Sequence, residues 1–234
     1  MLAFRDRDAR GRAQTGWLDS RHSFSFGHYH DPAHMGFRAL RVINEDRVAP
    51  GAGFPPHGHA DMEIISYVLK GGLAHRDSLG NGSVIRPGEI QRMSAGTGIQ
   101  HSEMNASGDK PVHFYQIWIL PERRGLAPGY EQVALPEVAE GETRLDRIGG
   151  REGGEGAITI SQDVVLWRAT LAAGGALEVP VASGRHVWLQ ATQGVAELED
   201  GGELRAGDGV AASDVARLRL SSGVGAELLV FDLA

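Results

Sequence analysis

The chain contains 234 residues with a formal net charge of −7, and it has no cysteine. The lack of cysteine excludes disulfides, thiol nucleophiles, iron–sulfur clusters and cysteine-based zinc sites, and the acidic balance argues against a nucleic-acid-binding protein, which would need a basic face. Glycine is abundant, with 33 residues, so we expect many tight turns between short strands.

The N-terminal sequence MLAFRDRDARGRAQTG lacks the apolar stretch of a signal peptide. No apolar run approaches the roughly 20 residues that a membrane-spanning helix needs. We therefore expect a cytoplasmic protein without membrane contacts.

Strand patterns dominate the first half of the chain. Runs rich in β-branched and aromatic residues occupy residues 37–48, 62–69 and 113–120. Asn81-Gly82 is typical of a hairpin turn between AHRDSL and SVIRP. Pro121 is expected to end the third run.

The second half is also rich in short strand patterns, and amphipathic helical periodicity is weak throughout. The predicted strands are 157–171, 176–181, 185–192, 194–199, 203–205, 215–220 and 226–232. We predict an all-β protein with two antiparallel β-barrel (jelly-roll) domains packed together. The predicted boundaries are 1–125 for the first domain, 126–156 for a connection rich in glycine and proline, and 157–234 for the second domain.

Chemistry-bearing residues are concentrated between positions 57 and 105. His57 and His59 are two residues apart, so both imidazoles leave a strand on the same face, and Glu63 shares their parity. By the same rule, His101 and Glu103 share a face. Two such strands facing each other would supply three imidazoles and up to two carboxylates. That set suits iron, manganese, nickel, copper or cobalt, with positions left for a substrate or dioxygen.

A histidine pair of this spacing is a weak signal by itself. The chain has a second pair, His28 and His30, with no partner cluster nearby. Isolated histidines such as His22, His75 and His113 are more often surface or hydrogen-bonded core residues. The two clusters around His57 and His101 are far more specific together, because a hairpin signal and a Pro-Gly turn separate them.

Longer motifs resemble the cupin superfamily. Gly51, His57, His59 and Glu63 resemble the first cupin motif, and Gly88, Gly96, His101 and Asn105 resemble the second. Ser94 stands where proline is usual, and the segment SAGTGIQHSEMN at 94–105 resembles the pirin branch. The runs RHSFSFGHYHDP and LRVINEDRVAPGAGFPPHGHADMEIISYVLKGG resemble bacterial pirin-like proteins, although His30 stands where tyrosine is expected.

This resemblance implies a bicupin with one divalent transition metal ion in its N-terminal barrel. The implied ligands are His57, His59, His101 and Glu103. Iron is favoured, and nickel, copper, manganese, cobalt and zinc are alternatives. Glu63, a ligand in ordinary cupins, is expected beside the metal as a second acid, although strand parity alone does not choose between the two carboxylates. The C-terminal half has no histidine pair, so we expect a degenerate cupin domain without a metal.

The resemblance also implies an activity, that of a quercetin 2,3-dioxygenase. Such an enzyme opens a flavonol ring with dioxygen and releases carbon monoxide, and Glu103 or Glu63 is the candidate base. The substrate would be a small aromatic or phenolic compound, and another enolizable or catecholic compound is an alternative to quercetin. A different reading is a regulator without enzymatic activity, whose metal responds to redox state and alters a surface that binds a protein partner.

Overall fold

The computed structural model describes residues 1–234, and strands make up all of its regular structure except one 3₁₀ turn at Arg7–Ala9. The first eleven strands are β1 (Leu2–Arg5), β2 (Gly11–Gln14), β3 (Leu18–His22), β4 (Leu40–Val48), β5 (Gly53–His59), β6 (Glu63–Lys70), β7 (Leu73–Asp77), β8 (Gly82–Ile85), β9 (Glu89–Ser94), β10 (Ile99–Asn105) and β11 (Val112–Ile119). The others are β12 (Gly129–Ala134), β13 (Arg144–Gly150), β14 (Ile158–Thr159), β15 (Val164–Leu171), β16 (Gly175–Pro180), β17 (His186–Leu198), β18 (Gly202–Arg205), β19 (Gly209–Ser213), β20 (Arg217–Ser222) and β21 (Ala226–Leu233). The predicted all-β class is confirmed. The structure contains no helix with the length and apolar character needed to cross a lipid bilayer.

The chain forms two compact units. The N-terminal unit comprises Gly11–Leu135 and Arg151–Gln162, and the C-terminal unit comprises Met1–Arg10, Pro136–Gly150 and Asp163–Ala234. The sequence predicts two contiguous domains, whereas each unit combines segments that are separate along the chain. The C-terminal unit includes residues 1–10 of the predicted first domain, and the N-terminal unit includes residues 157–162 of the predicted second domain.

The N-terminal unit is a sandwich of two antiparallel sheets. The smaller sheet has the strand order β5-β10-β7-β8, and the larger has the order β12-β9-β6-β11-β4-β3-β2. Apolar side chains from both sheets, among them Val48, Leu73, Ile85 and Phe114, form a fully buried cluster. Strand β12 occupies part of the predicted connection, and it adds a strand to the edge of the larger sheet beside β9.

The predicted hairpin around Asn81 joins β7 to β8. Its loop runs over residues 78–81, and Gly82 already belongs to β8. The Asp77 carboxylate orders this loop because it accepts hydrogen bonds from the backbone N–H groups of Leu79 and Asn81, at 2.9 and 3.0 Å. The Asn-Gly pair predicts a two-residue turn, but the chain forms a four-residue loop that is held by the Asp77 carboxylate.

The C-terminal unit is built around the long strand β17. Its first half pairs with β19 and β21, and its second half with β18 and β20. The sequence predicts two strands here, but the chain continues through a register shift after Ala191. Gly194 permits this, since its φ is +68° and an added Cβ would lie 2.1 Å from the Gly225 carbonyl oxygen. Strand β1 completes the sheet by pairing with β19.

Candidate metal centre

Three histidine side chains converge in the N-terminal unit. His57 and His59 leave β5 on the same side, and His101 on β10 lies directly opposite His57 in the antiparallel register. One ring nitrogen from each histidine lies within 4.8 Å of the other two, and the Nε2 atoms of His57 and His101 are 3.1 Å apart. The two sequence clusters thus meet on neighbouring, hydrogen-bonded strands of one sheet. The predicted arrangement on two facing strands is wrong.

The protonation of these rings suits a divalent metal. The Nδ1 atom of His57 lies 2.8 Å from the Pro55 carbonyl oxygen, which can only accept, so Nδ1 carries the proton and Nε2 the lone pair. The Nε2 atom of His59 is buried without a hydrogen-bond partner. Burial, followed by the neighbouring histidines, lowers the pKa of His59 to about 4 and that of His101 to about 3. Neutral imidazoles are the form that binds metals, so the lowered pKa values of His59 and His101 suit a divalent ion.

The Glu103 carboxylate, the fourth predicted ligand, is not part of the three-histidine cluster, but it is buried and lines the same cavity as His57 and His59. It accepts hydrogen bonds from Ser66 Oγ at 3.1 Å and from Gln116 Nε2 at 2.5 Å. Burial raises the pKa of Glu103 to about 7, although these two hydrogen bonds lower it. The carboxyl group can therefore gain or lose a proton near neutral pH.

A chain of side chains orients Glu103. The Gln116 amide oxygen accepts from Trp118 Nε1 at 3.2 Å, which leaves its NH₂ group to donate to Glu103. The Trp118 ring packs edge-on against His59, with centroids 5.0 Å apart. The sequence does not indicate that Gln116 and Ser66 belong to the site, because the motifs that indicate the metal ligands contain neither residue.

A β-bulge places Glu103 beside the histidines. The register between β5 and β10 shifts between His101 and Glu103, where Pro55 and Pro56 have no N–H to donate. Gly53 then lets the strands approach closely, since an added Cβ would lie 2.3 Å from the Glu103 carbonyl oxygen. The bulge has one extra residue on β5, and this brings Phe54 opposite Glu103.

Glu63 lies apart from this centre, contrary to our expectation of a second acid beside the metal. Its carboxylate accepts hydrogen bonds from Ser94 Oγ at 2.9 Å and from the Ser161 backbone N–H at 3.3 Å, and Arg92 Nε is 3.9 Å away. It is not among the residues that line the cavity. The odd-numbered spacing that Glu63 shares with His57 and His59 does not place it on their face, because a turn with Asp61 at φ +49° separates β5 from β6. We assign Glu63 a structural role.

A cavity of about 490 Å³ opens beside the histidines, within the range of small-molecule sites. Apolar side chains dominate its walls, among them Phe26, Phe54 and Trp118. Met62 and Met93 pack in an apolar cluster and Phe114 in the core, so none of these three lines the cavity.

The other histidines stay outside the three-histidine cluster. His75 is the nearest, with its ring centroid 5.4 Å from that of His101. It is buried, and its Nε2 atom lies 3.2 Å from the Asp77 carboxylate. His28 and His22 line the cavity, whereas His113 pairs with Glu45 at 2.9 Å.

An antiparallel β-sandwich that holds three converging imidazoles and a buried carboxylate is a cupin with a candidate divalent-metal centre. Family comparison agrees: residues 3–119 match the Pirin family, and residues 148–233 match the quercetinase C-terminal cupin domain. The chain belongs to the pirin family, and the predicted bicupin class is confirmed.

Bacterial relatives cover all or nearly all of the chain. A protein named quercetin 2,3-dioxygenase from Escherichia coli K12 is 41% identical over 100% of this chain and 99% of its own length. A pirin-like protein from Caulobacter vibrioides is 38% identical, with 97% of each chain covered. The crystal structure of the bacterial pirin YhhW from Escherichia coli in complex with nickel(II) is 42% identical, covers 100% of this chain and 99% of its own, and has a TM-score of 0.92.

Proposed function

We propose that the protein is a metal-dependent dioxygenase that cleaves a flavonol such as quercetin. The observation that carries the proposal is the junction of three converging imidazoles and a buried carboxylate with an apolar cavity of about 490 Å³. The name of the Escherichia coli relative and the nickel in the YhhW structure support it.

His57, His59 and His101 would hold the ion through ring nitrogens, and Glu103 would complete the set. A bound divalent ion of this kind would act as a Lewis acid toward the hydroxyl and ketone oxygens of the substrate and favour its deprotonated form. We propose iron as the native metal, while the same nitrogen and oxygen donors also accept nickel, copper, manganese, cobalt or zinc.

Glu103 is the proposed base. Its carboxylate borders the cavity in which the substrate would bind, so it is placed to accept the proton that the substrate hydroxyl loses. The hydrogen bonds from Ser66 and Gln116 hold the carboxylate in place while the proton moves. Trp118 and Phe54 present flat apolar surfaces on which an aromatic substrate can stack and from which water is displaced.

The test is quercetin consumption by the protein after removal of metal and after reconstitution with each ion. Loss of quercetin with an equivalent release of carbon monoxide, present only in a reconstituted form, is the expected result. The same measurement on Glu103→Gln should show a strong loss of turnover, whereas Glu63→Gln, a buried acid outside the cavity, serves as the control. Stoichiometric metal without consumption of quercetin or a related flavonol would contradict the proposal and favour the regulatory role.

A further inference from the structure

Four polar side chains form a second chemical feature of the cavity, on the larger sheet. Ser20 and His22 lie on β3, and Asn44 and Asp46 lie on β4. The antiparallel register sets Ser20 opposite Asp46 and His22 opposite Asn44, so all four side chains share one face of the sheet. Each is at most 3% exposed, and all four line the cavity. We call these four residues the polar wall.

The polar wall presents unpaired polar atoms to the cavity. The Ser20 hydroxyl lies 2.8 Å from His22 Nε2 and also forms a hydrogen bond with the Asp46 carboxyl group. The second carboxyl oxygen of Asp46, Oδ1, is buried without a partner, and so is Oδ1 of Asn44. Native proteins seldom leave buried polar atoms unpaired, and two on successive positions of one strand face indicate a ligand with hydrogen-bonding groups of its own.

The apolar side chains that line the rest of the cavity indicate what else the ligand contains. Phe26, Phe54 and Trp118, together with Pro55 and Pro56, give the cavity flat apolar surfaces. Such surfaces favour an aromatic ring, and the two unpaired polar groups favour hydroxyl groups on that ring, which can both donate and accept hydrogen bonds.

We propose that the polar wall is a subsite for the hydroxyl groups on the pendant ring of the substrate. The inference rests on the proposed function, because it places the chelating oxygens of the same molecule at the histidines. It defines the preferred substrates as flavonols or related phenols with a hydroxylated pendant ring.

A pair of ligands tests the subsite on the unaltered protein. Nickel-loaded protein is kept free of dioxygen so that no turnover occurs, and binding is measured by calorimetry. Quercetin, with two hydroxyls on its pendant ring, should bind about tenfold more tightly than the flavonol that lacks them and keeps the chelating oxygens, as expected for one or two added hydrogen bonds. Equal dissociation constants would overturn the inference.

Variants then locate the effect. Asn44→Leu and Asp46→Leu each remove an unpaired polar group, and either should reduce severalfold the preference for quercetin, measured as the ratio of the two dissociation constants. Glu45→Gln is the matched control, since Glu45 lies between them on β4 and bonds with His113 and Arg47. A preference that persists in folded Asn44→Leu and Asp46→Leu protein would overturn the assignment.

The binding and turnover measurements separate the two proposals. A preference for the hydroxylated ligand without turnover in air would leave the subsite standing and contradict the dioxygenase proposal. Turnover with equal affinities would support the dioxygenase and overturn the subsite. Failure of both flavonols to bind would overturn the subsite, whereas metal-dependent turnover alone decides the dioxygenase proposal.

Discussion

The Asp46→Asn substitution should change how the stability of the protein depends on pH. Asp46 is 2% exposed and lies on the inner face of β4. Burial raises its pKa from 3.8 to about 7; the hydrogen bond from Ser20 lowers the pKa, and the neighbouring charge of Glu45 raises it further. The folded protein therefore holds this proton over a pH range in which the unfolded chain has released it.

The sign and size of the effect follow from proton linkage. Below pH 3.8 the carboxyl group is protonated in both states and has no effect. Between pH 4 and 7 the folded state binds more protons than the unfolded state, so stability falls as pH rises, and above pH 7 the loss is complete. A pKa raised from 3.8 to about 7 corresponds to about 4 kcal/mol. Asparagine cannot ionise, so the variant should avoid this loss.

Urea unfolding of metal-free wild-type and Asp46→Asn protein at pH 4 to 8 measures the effect. We expect the free energy of unfolding of the variant, relative to that of wild type, to rise by up to about 4 kcal/mol between pH 4 and 8. The difference between the two pH values removes pH-independent effects of the substitution on packing. Asp8→Asn, at an exposed position, controls for the loss of a negative charge. Parallel pH profiles for wild type and Asp46→Asn would refute the reasoning.

Four other substitutions test the centre and its supports. Glu103→Gln should lower metal affinity at least tenfold, measured by competition with a chelator, whereas Glu63→Gln should keep the metal and lose about 1–3 kcal/mol of stability, measured by urea unfolding; equal metal affinities would contradict the assignment. Gly53→Ala should displace β10, because the new Cβ would lie 2.3 Å from the Glu103 carbonyl oxygen and 2.5 Å from Met104 Cα, and it should lower both metal content and melting temperature; an unchanged melting temperature would contradict this. Trp118→Phe removes the hydrogen bond to Gln116 and should lower turnover more than metal content; equal losses would show that Trp118 acts only through the fold.

Local patterns explain which parts of the site the sequence reveals. His57 and His59, like His101 and Glu103, lie on single strands, where a spacing of two residues guarantees a shared face. The same rule does not apply to Glu63, because a turn lies between its strand and that of His57 and His59. Residue spacing therefore predicts a shared face within one strand but not across a turn.

The polar wall depends on long-range pairing. Ser20 meets Asp46 only because β3 pairs with β4, and the local sequence does not indicate that pairing. The same holds for the fold, since nothing in the local sequence of β1 indicates its pairing with β19. Strand β12 escapes prediction because a stretch rich in proline and glycine surrounds it. The sequence therefore predicts the fold class and the histidines, but not the strand partners that complete the site.

Metal content of the purified protein, measured by elemental analysis for wild type and His101→Ala, tests the central claim most directly. His113→Ala is the control, because His113 bonds with Glu45 and is not part of the three-histidine cluster. The account predicts one divalent ion per chain in wild type and His113→Ala, and a nearly complete loss in folded His101→Ala. Equal metal content in wild type and His101→Ala, or no metal in wild type even after reconstitution, would contradict the existence of the centre.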